Sequence, residues 1–135
     1  MLFRSNARIG KEVVVRVRNE IGVVAQLTRL IADKGINLLA MNGWVEGQDA
    51  VVRFVTDDNL RVMDALRERS YNPHEKEVVL TELGHKAGML RHVTDTLARE
   101  RIDLHHLYAS ASPSQDKCLL IFACGDNDRA VVLLA

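Results

Sequence analysis

The chain has 135 residues, 47% of them apolar, with 18 basic and 18 acidic side chains and a formal net charge of zero. This length holds one ordinary domain or two very small ones, and the apolar fraction is that of a protein with a packed core. The balanced charge gives no electrostatic reason to expect nucleic acid or an anionic membrane as a partner. No apolar run is long enough to span a membrane, and residues 1–10 lack the apolar stretch of a signal peptide, so we expect a cytoplasmic protein.

Strands and helices alternate in the first half of the chain. The first segment is β-branched, and apolar residues then recur at helical spacing from Val23 to Ile31 until Gly35 ends the helix. A turn at 47–49 joins two further strands, and Asp58 is a suitable N-cap for a second helix with apolar positions at Leu60, Met63 and Leu66. The predicted strands are 12–17, 38–45, 50–55 and 77–83.

The second half of the chain repeats the first. Residues 13–39 align with 79–105 without a gap, and 57–66 align with 125–134. A period this long with two copies indicates a duplicated small domain rather than a stacked array. A helix is predicted at about 88–100, strands at about 102–110 and 117–124, and a last helix from about 126. Identical pairs are Gly22/Gly88, Thr28/Thr94, Ala32/Ala98, Ile36/Ile102 and Leu38/Leu104.

The order of elements predicts an α+β fold of two tandem ferredoxin-like βαββαβ units, each with an antiparallel sheet and helices on one face. We divide the chain into an N-terminal tail (1–10), a first domain (11–76) and a second domain (77–135) that lacks its last strand. The segment 71–83 must serve as the last strand of one unit and the first strand of the next.

No catalytic or cofactor-binding motif is found in the sequence, so we predict a protein that is not an enzyme and has no cofactor or metal. Cys118 and Cys124 lie six residues apart on one predicted strand, too far apart to bond with each other, and are interpreted as reduced thiols. A redox or metal pair is the alternative. His105 and His106 are strand neighbours that point to opposite faces, which disfavours a shared metal site.

The recurring local feature is a tight turn before the first helix of each repeat, ending in Gly22 or Gly88. Glycine allows close approach to the backbone, and the following helix start presents N–H groups and a positive dipole end that suit a carboxylate. Asn19 lies in the first turn, and Asn37 begins the next strand and could face the same space from the far end of the unit or across an interface. The simpler alternative is that these residues serve turn geometry alone.

The loop–glycine–helix pattern, followed by Gly35-Ile36-Asn37 and a strand within βαββαβ, resembles the ACT domain, a regulatory module that binds amino acids. The resemblance covers 11–135 as a tandem pair. The family's loop usually reads Asp/Asn-Arg-Pro-Gly-Val-Leu. Both repeats of this chain keep the glycine and an apolar pair after it, and both lack the proline and the arginine.

The resemblance implies a ligand site, because in serine-binding members a loop asparagine and the asparagine of the "GIN" element hold the ligand. Those positions match Asn19 and Asn37, and the second repeat has His85 and Asp103 there. The candidate ligand-binding residues of the first repeat are Asn19, Glu20, Ile21, Gly22, Val23 and Asn37. The second-site candidates are Gly84, His85, Lys86, Ala87, Gly88 and Asp103.

The predicted function is therefore that of a regulatory protein that binds a small ligand, an amino acid, at ACT-domain interfaces. The alternatives are a regulatory subunit of an amino-acid biosynthetic enzyme, of the acetohydroxyacid synthase small-subunit type, and an interaction scaffold with vestigial sites. We also expect a homo-oligomer, most simply a dimer. The reasons are the missing strand, the apolar end of the last helix at 131–134, and Val13, Val15 and Val17, taken to lie on an uncovered sheet face.

Trp44 beside the predicted hairpin has two interpretations. Its ring could stack on a ligand or on a partner subunit, or it could be an ordinary core or interface residue, which is the more common role of a tryptophan.

Overall fold

The fold is that of a computed structural model, which describes residues 5–84, 87–111 and 116–134. It is α+β, with antiparallel strand pairs, and its residues form two compact units. The first unit is Lys11–Lys76, and the second unit joins residues up to Gly10 with residues from Glu77 onward. The elements are β1 (Ser5–Arg18), α1 (Val23–Asp33), β2 (Leu38–Glu46), β3 (Asp49–Thr56), α2 (Asn59–Glu68), β4 (His74–Gly84), α3 (Met89–Arg99), β5 (Leu104–Ala111), β6 (Lys117–Cys124) and α4 (Asn127–Leu134).

In the first unit β3 lies between β1 and β2, and α1 and α2 cover one face of the sheet. Val13, Val15 and Val17 alternate along β1, are at most 5% exposed, and pack with residues of both helices. The expectation that these valines lie on an uncovered face is wrong. Val13 pairs with the core residue Phe54, and residues directly opposite in a ladder share a face, so all three valines face the helices.

The second unit repeats this architecture with β6 between β4 and β5. Val79 pairs with Phe122 as Val13 pairs with Phe54. The β2–β3 ladder is irregular after Leu38, and the β5–β6 ladder is irregular after its equivalent, Leu104. The two halves of the chain therefore share strand register as well as sequence. The core of the second unit is built mainly from Val79, Leu83, Met89, Val93, Leu97, Leu120 and Phe122.

A side-chain contact that links the two helices is also repeated. In the first unit Arg61 Nη2 donates to the carbonyl of Lys34, just after α1, over 2.6 Å. In the second unit Arg129 Nη1 donates to the carbonyl of Glu100, just after α3, over 3.3 Å. Each arginine binds the end of a preceding helix, where unpaired carbonyls favour a cation.

The sequence interpretation of residues 5–10 is corrected by the structure. They are not a tail but the first part of β1, and they belong to the second unit, where β1 lies next to β4. Ala7 packs against the core of that unit. A Cβ placed on Gly10 would lie 2.7 Å from Leu80 Cγ, so a larger residue there would force the Leu80 side chain to move. The second unit therefore has a further strand, residues 5–10, that the sequence interpretation assigned to neither domain.

Two smaller expectations also change. Leu60, taken as an apolar position of the second helix, is 70% exposed, and the buried face of α2 is formed by Val62, Met63, Ala65 and Leu66. At the end of the chain Leu134 is buried in the core of the second unit, whereas Val132 is exposed. The last helix thus buries most of its apolar residues within its own unit.

The contact between Gly10 and Leu80 can be tested by a double-mutant cycle. We expect Gly10→Ala to lower the free energy of unfolding by about 1–3 kcal/mol, because the added methyl overpacks the site. In a Leu80→Ala background the same change should cost much less, because the clashing atoms are gone. Urea denaturation of the four proteins measures the coupling, and purely additive effects would contradict this placement of residues 5–10.

Candidate functional site

The loop before α1 is open and its backbone is left-handed at Gly22, where φ is +88°. Gly22 is the N-cap of α1, and no side chain caps this helix start. Val23 N–H donates to the carbonyl of Glu20 over 3.1 Å, and Ile21 is fully exposed. The loop therefore leaves the positive end of the α1 dipole accessible beside an exposed apolar side chain.

Asn37 is held by a carboxylate that the sequence interpretation did not include. Its Nδ2 donates to Asp57 Oδ2 over 2.9 Å, and its backbone N–H donates to Asp57 Oδ1 over 3.1 Å. The backbone N–H of Asp57 donates in return to the carbonyl of Asn37. Two short polar residues in adjacent turns thus form one exposed polar group.

The structure does not bring Asn19 and Asn37 together within the first unit. The backbone N–H of Asn19 donates to the carbonyl of Gln48 over 2.8 Å, at one end of β3. Asn37 lies beside Asp57, at the other end. Eight residues of β3 separate the two ends, roughly 24 Å at about 3.4 Å per residue. Of the predicted first-site residues, those from Asn19 to Val23 are contiguous, Val23 is buried in the core, and Asn37 stands apart.

The second loop repeats the backbone of the first and changes its chemistry. Gly88 has φ +89° and is the N-cap of α3, again without a side-chain cap. The carbonyl of Asp103 accepts from Gly125 N–H over 2.9 Å, as that of Asn37 accepts from Asp57. Gly125 has no carboxylate to offer. Gly84 ends β4 and Ala87 is exposed, while His85 and Lys86 lie outside the described residues.

The richest polar cluster lies on the other face of the first unit's sheet. Trp44 Nε1 donates to Glu46 Oε1 over 2.8 Å, and Arg16 Nη2 donates to Glu46 Oε2 over 2.6 Å. Arg16 also contacts Asp49. The hydrogen bond from Trp44, followed by that from Arg16, holds the pKa of Glu46 below its ordinary value.

A buried ion pair lies next to this cluster. Glu12 is fully buried and accepts from Arg53 Nη1, and the Arg53 guanidinium carbon lies 5.4 Å from the centre of the Trp44 ring. This distance is within the range of a cation–π contact. The sequence interpretation assigned no role to Glu12 or Arg53. The available signal was Arg53, the one charged residue of the predicted strand 50–55, and Glu12, the one acidic residue of the predicted strand 12–17.

The thiols and histidines give no metal site among the residues that the structure describes, where no group of three or more potential ligands converges. Both Cys118 and Cys124 are free thiols. Burial raises the pKa of the Cys124 thiol, which makes it a poor nucleophile. In the described ranges, no helix has the length and apolar character needed to cross a membrane.

Residues 11–69, which lie within the first unit, match the ACT domain family. No curated protein matches the chain in sequence. Residues 11–69 are therefore similar to an ACT domain, and their likeness includes the Gly22 loop and Asn37.

Several solved structures share the fold. Protein BT0572 from Bacteroides thetaiotaomicron has a TM-score of 0.86 at 20% identity, covering 96% of this chain and 88% of its own. The regulatory subunit of aspartate kinase from Thermus thermophilus has a TM-score of 0.66 at 10% identity, with 95% and 93% coverage. A structure of aspartokinase alpha and beta subunits gives 0.63 at 18% identity, with 96% and 94% coverage. The chain thus has an ACT-like, ferredoxin-like α+β fold.

The link between Trp44 and Glu46 predicts a pH dependence. Because folding lowers the pKa of Glu46, its stabilising effect is complete above the ordinary carboxyl pKa and is lost as the pH falls through the lower folded value. We expect Trp44 fluorescence to change in acid with a midpoint below the ordinary value. Glu46→Gln should abolish the transition and Glu20→Gln, in the exposed loop, should keep it. A midpoint at or above the ordinary value would contradict the hydrogen bond.

Proposed function

We propose that this chain is a non-catalytic regulatory protein that binds a small ligand, an amino acid, at the loop before α1. The observation that carries the proposal is the uncapped helix start at Gly22, open to solvent and located in the segment that matches the ACT domain. The fold it shares with a regulatory subunit of aspartate kinase adds support.

Both units are proposed to be ACT-like domains, which makes the chain a tandem pair. The first is 11–76, and the second is 77–135 with the strand residues 5–10. The equal strand registers and the repeated contacts of Arg61 and Arg129 support a common architecture. The difference between Asn37–Asp57 and Asp103–Gly125 supports a working site in the first unit rather than the second.

We propose a homodimer in which β2 of one chain pairs with β2 of a second copy. Among the described strands, β2 pairs with β3 alone, so one of its edges is free. Its side chains Leu39, Met41 and Val45 are 47%, 37% and 57% exposed. A free edge with exposed apolar side chains favours pairing with another strand.

This dimer would resolve the separation of the two asparagines. Antiparallel pairing about a two-fold axis places the start of one β2 opposite the end of the other. The start of β2 follows Asn37, and its end adjoins Gln48 and the Asn19 turn. Asn37 of one copy would therefore approach the Gly22 loop of the other. Each of the two sites along the β2 seam would then contain a complete set of the predicted residues.

In such a site the ligand's carboxylate would bind at the start of α1, where N–H groups and the helix dipole favour an anion. The ammonium group would be held by Asp57, whose carboxylate Asn37 orients, and by the side chain of Asn19 from the loop of the other copy. Because the site is shared between copies, ligand binding would stabilise the dimer, and this linkage is how a signal would be passed on.

An enzyme partner is the second candidate, in which the chain acts as a regulatory subunit. Exposed apolar residues on the helices, Val24 and Leu60 at 40% and 70%, support a contact surface outside the ligand loop. Co-purification of a catalytic chain would favour this role.

A thermal-shift screen with the twenty amino acids tests ligand binding. We expect at least one to raise the melting temperature at millimolar concentration, because it binds the folded state. Asn37→Ala should reduce the ligand-induced shift and weaken binding by about 1–3 kcal/mol. Asp103→Ala, at the matching position of the second unit, is the control and should leave the shift intact. No shift with any amino acid would remove the main support for the proposal.

Gly22 itself is a poor probe. No atom lies within 4 Å of a Cβ built there, but its φ of +88° strains any other residue. Asn19→Ala is the better loop variant because it leaves the backbone conformation unaffected.

The dimer has a matched test in the two edge strands. Met41 on β2 and Leu107 on β5 are equivalent in the repeat and are each 37% exposed. We expect Met41→Lys to shift the protein toward monomer, because it places like charges across the seam, and Leu107→Lys to have little effect. Light scattering over a dilution series measures the mass, and equal behaviour of the two variants would contradict the β2 seam.

A further inference from the structure

We propose that the first unit has a second binding site, for a small organic anion, on the sheet face opposite the helices. The site is a shallow depression of about 620 Å³ bounded by β1, β2, β3 and the start of β4, and we call it the basic depression. Its volume is within the range of small-molecule sites. The residues proposed to bind the anion or to position it are Arg18, Trp44, Arg53 and Lys76.

The residues around the basic depression carry an excess of positive charge. Two of the four cations around the depression are neutralised, Arg16 by Glu46 and Arg53 by the buried Glu12. In the part of the chain that the structure describes, Arg18 and Lys76 have no ion-pair partner. Asp49 also lines the depression, opposite Arg18 in the β1–β3 ladder, so four cations face three carboxylates, Glu12, Glu46 and Asp49. The remaining excess of one positive charge on a concave surface favours an anionic ligand.

The buried ion pair of Glu12 and Arg53 lies beside the depression. Placing Glu12 and Arg53 in a sheet interior costs desolvation, and such pairs are seldom the most stabilising solution. Here the pair fixes the Arg53 guanidinium over Trp44, at 5.4 Å from the ring centre. Arg53 Nε is buried and has no acceptor among the described residues. The side chain is thus held in place with a donor that the protein does not use.

The second unit is an internal reference for the first. It has the same strand registers, and so shows which residues the fold alone requires. At the positions of Glu12 and Arg53 it has Val78 and Ile121, both fully buried. Gly84 stands at the place of Arg18 and Ser110 at the place of Trp44, whereas the positions of Arg16 and Asp49 stay charged, as Glu82 and Lys117. Glu12, Arg18, Trp44 and Arg53 are therefore not needed to build this fold.

These features define the ligand class. Arg18 can bind a carboxylate or a phosphate through two parallel hydrogen bonds, and Lys76 supplies a second positive charge. The Trp44 ring offers an apolar surface to a planar or hydrocarbon body. We therefore expect a ligand that has a carboxylate or phosphate group attached to such a body.

The site is independent of the proposed amino-acid site. The depression lies on the face of the sheet away from the helices, whereas the Gly22 loop lies at the start of α1. The anion site therefore stands or falls without the amino-acid site, and variants of Asn37 should leave anion binding unchanged.

Trp44 is the single tryptophan of the chain and reports on the depression directly. We propose fluorescence titrations of the full chain with three probes: adenosine monophosphate, benzoate and inorganic phosphate. The first two each combine an acidic group with a planar ring and should give saturable changes, and inorganic phosphate should bind at least about tenfold more weakly because it lacks a body to contact Trp44. A preference between adenosine monophosphate and benzoate distinguishes a phosphate ester from a carboxylate ligand.

Arg18→Gln and Lys76→Gln should each weaken binding about tenfold or more, since each removes a charge-assisted contact. Neither residue has an ion pair to lose, so both variants should fold normally, which circular dichroism can verify. Arg67→Gln, on the exposed surface of α2, is the matched control and should bind as the parent chain does.

Three results would overturn the proposal. The first is the absence of a saturable change with either adenosine monophosphate or benzoate at concentrations up to about ten millimolar. The second is binding that Arg18→Gln and Lys76→Gln leave unchanged. The third is a change of molecular mass in the two variants without any anion effect, which would make this face a contact between protein chains.

Discussion

The pairing of β3 with β1 on one side and β2 on the other fixes the position of every functional candidate in the first unit. Its register turns Val13, Val15 and Val17 toward the helices, and therefore turns Glu12 and Arg53 to the opposite face. Its length separates the Asn19 turn from Asn37. This ladder thus underlies both proposals: a ligand site that a second chain would complete, and an anion site that lies within one chain.

The two units show how one backbone can support different chemistry. Both have a left-handed glycine before the first helix and an arginine bound to the end of that helix. They differ on exposed turns, where Asp57 is replaced by Gly125, and on the open sheet face, where Glu12 and Arg53 are replaced by Val78 and Ile121. The shared helix start is therefore proposed to anchor a ligand, and the side chains that differ are expected to decide which unit binds it.

Much of the fold can be predicted from the sequence, because duplicated patterns and helical periodicity are local signals. The helices and the hairpin strands follow from them. The face of a strand is harder to predict, since a shift of one residue reverses it, and Val13 was misassigned for this reason. The strand at 5–10 was missed because its partner is about 70 residues away in sequence. Asp57 and Arg53 were missed because their roles depend on contacts across strands.

The proposed ligand site combines the Gly22 loop of one chain with Asn37 of another. Mixing two defective variants, Asn19→Ala and Asn37→Ala, tests it most directly, using calorimetry with the amino acid that gives the largest thermal shift. Each variant alone should bind poorly. After subunit exchange, half of the dimers contain one copy of each variant, and one of the two sites in such a dimer is intact. About one site in four should therefore bind the amino acid. Failure of the mixture to bind better than the separate variants, once subunit exchange is verified, would contradict the shared site.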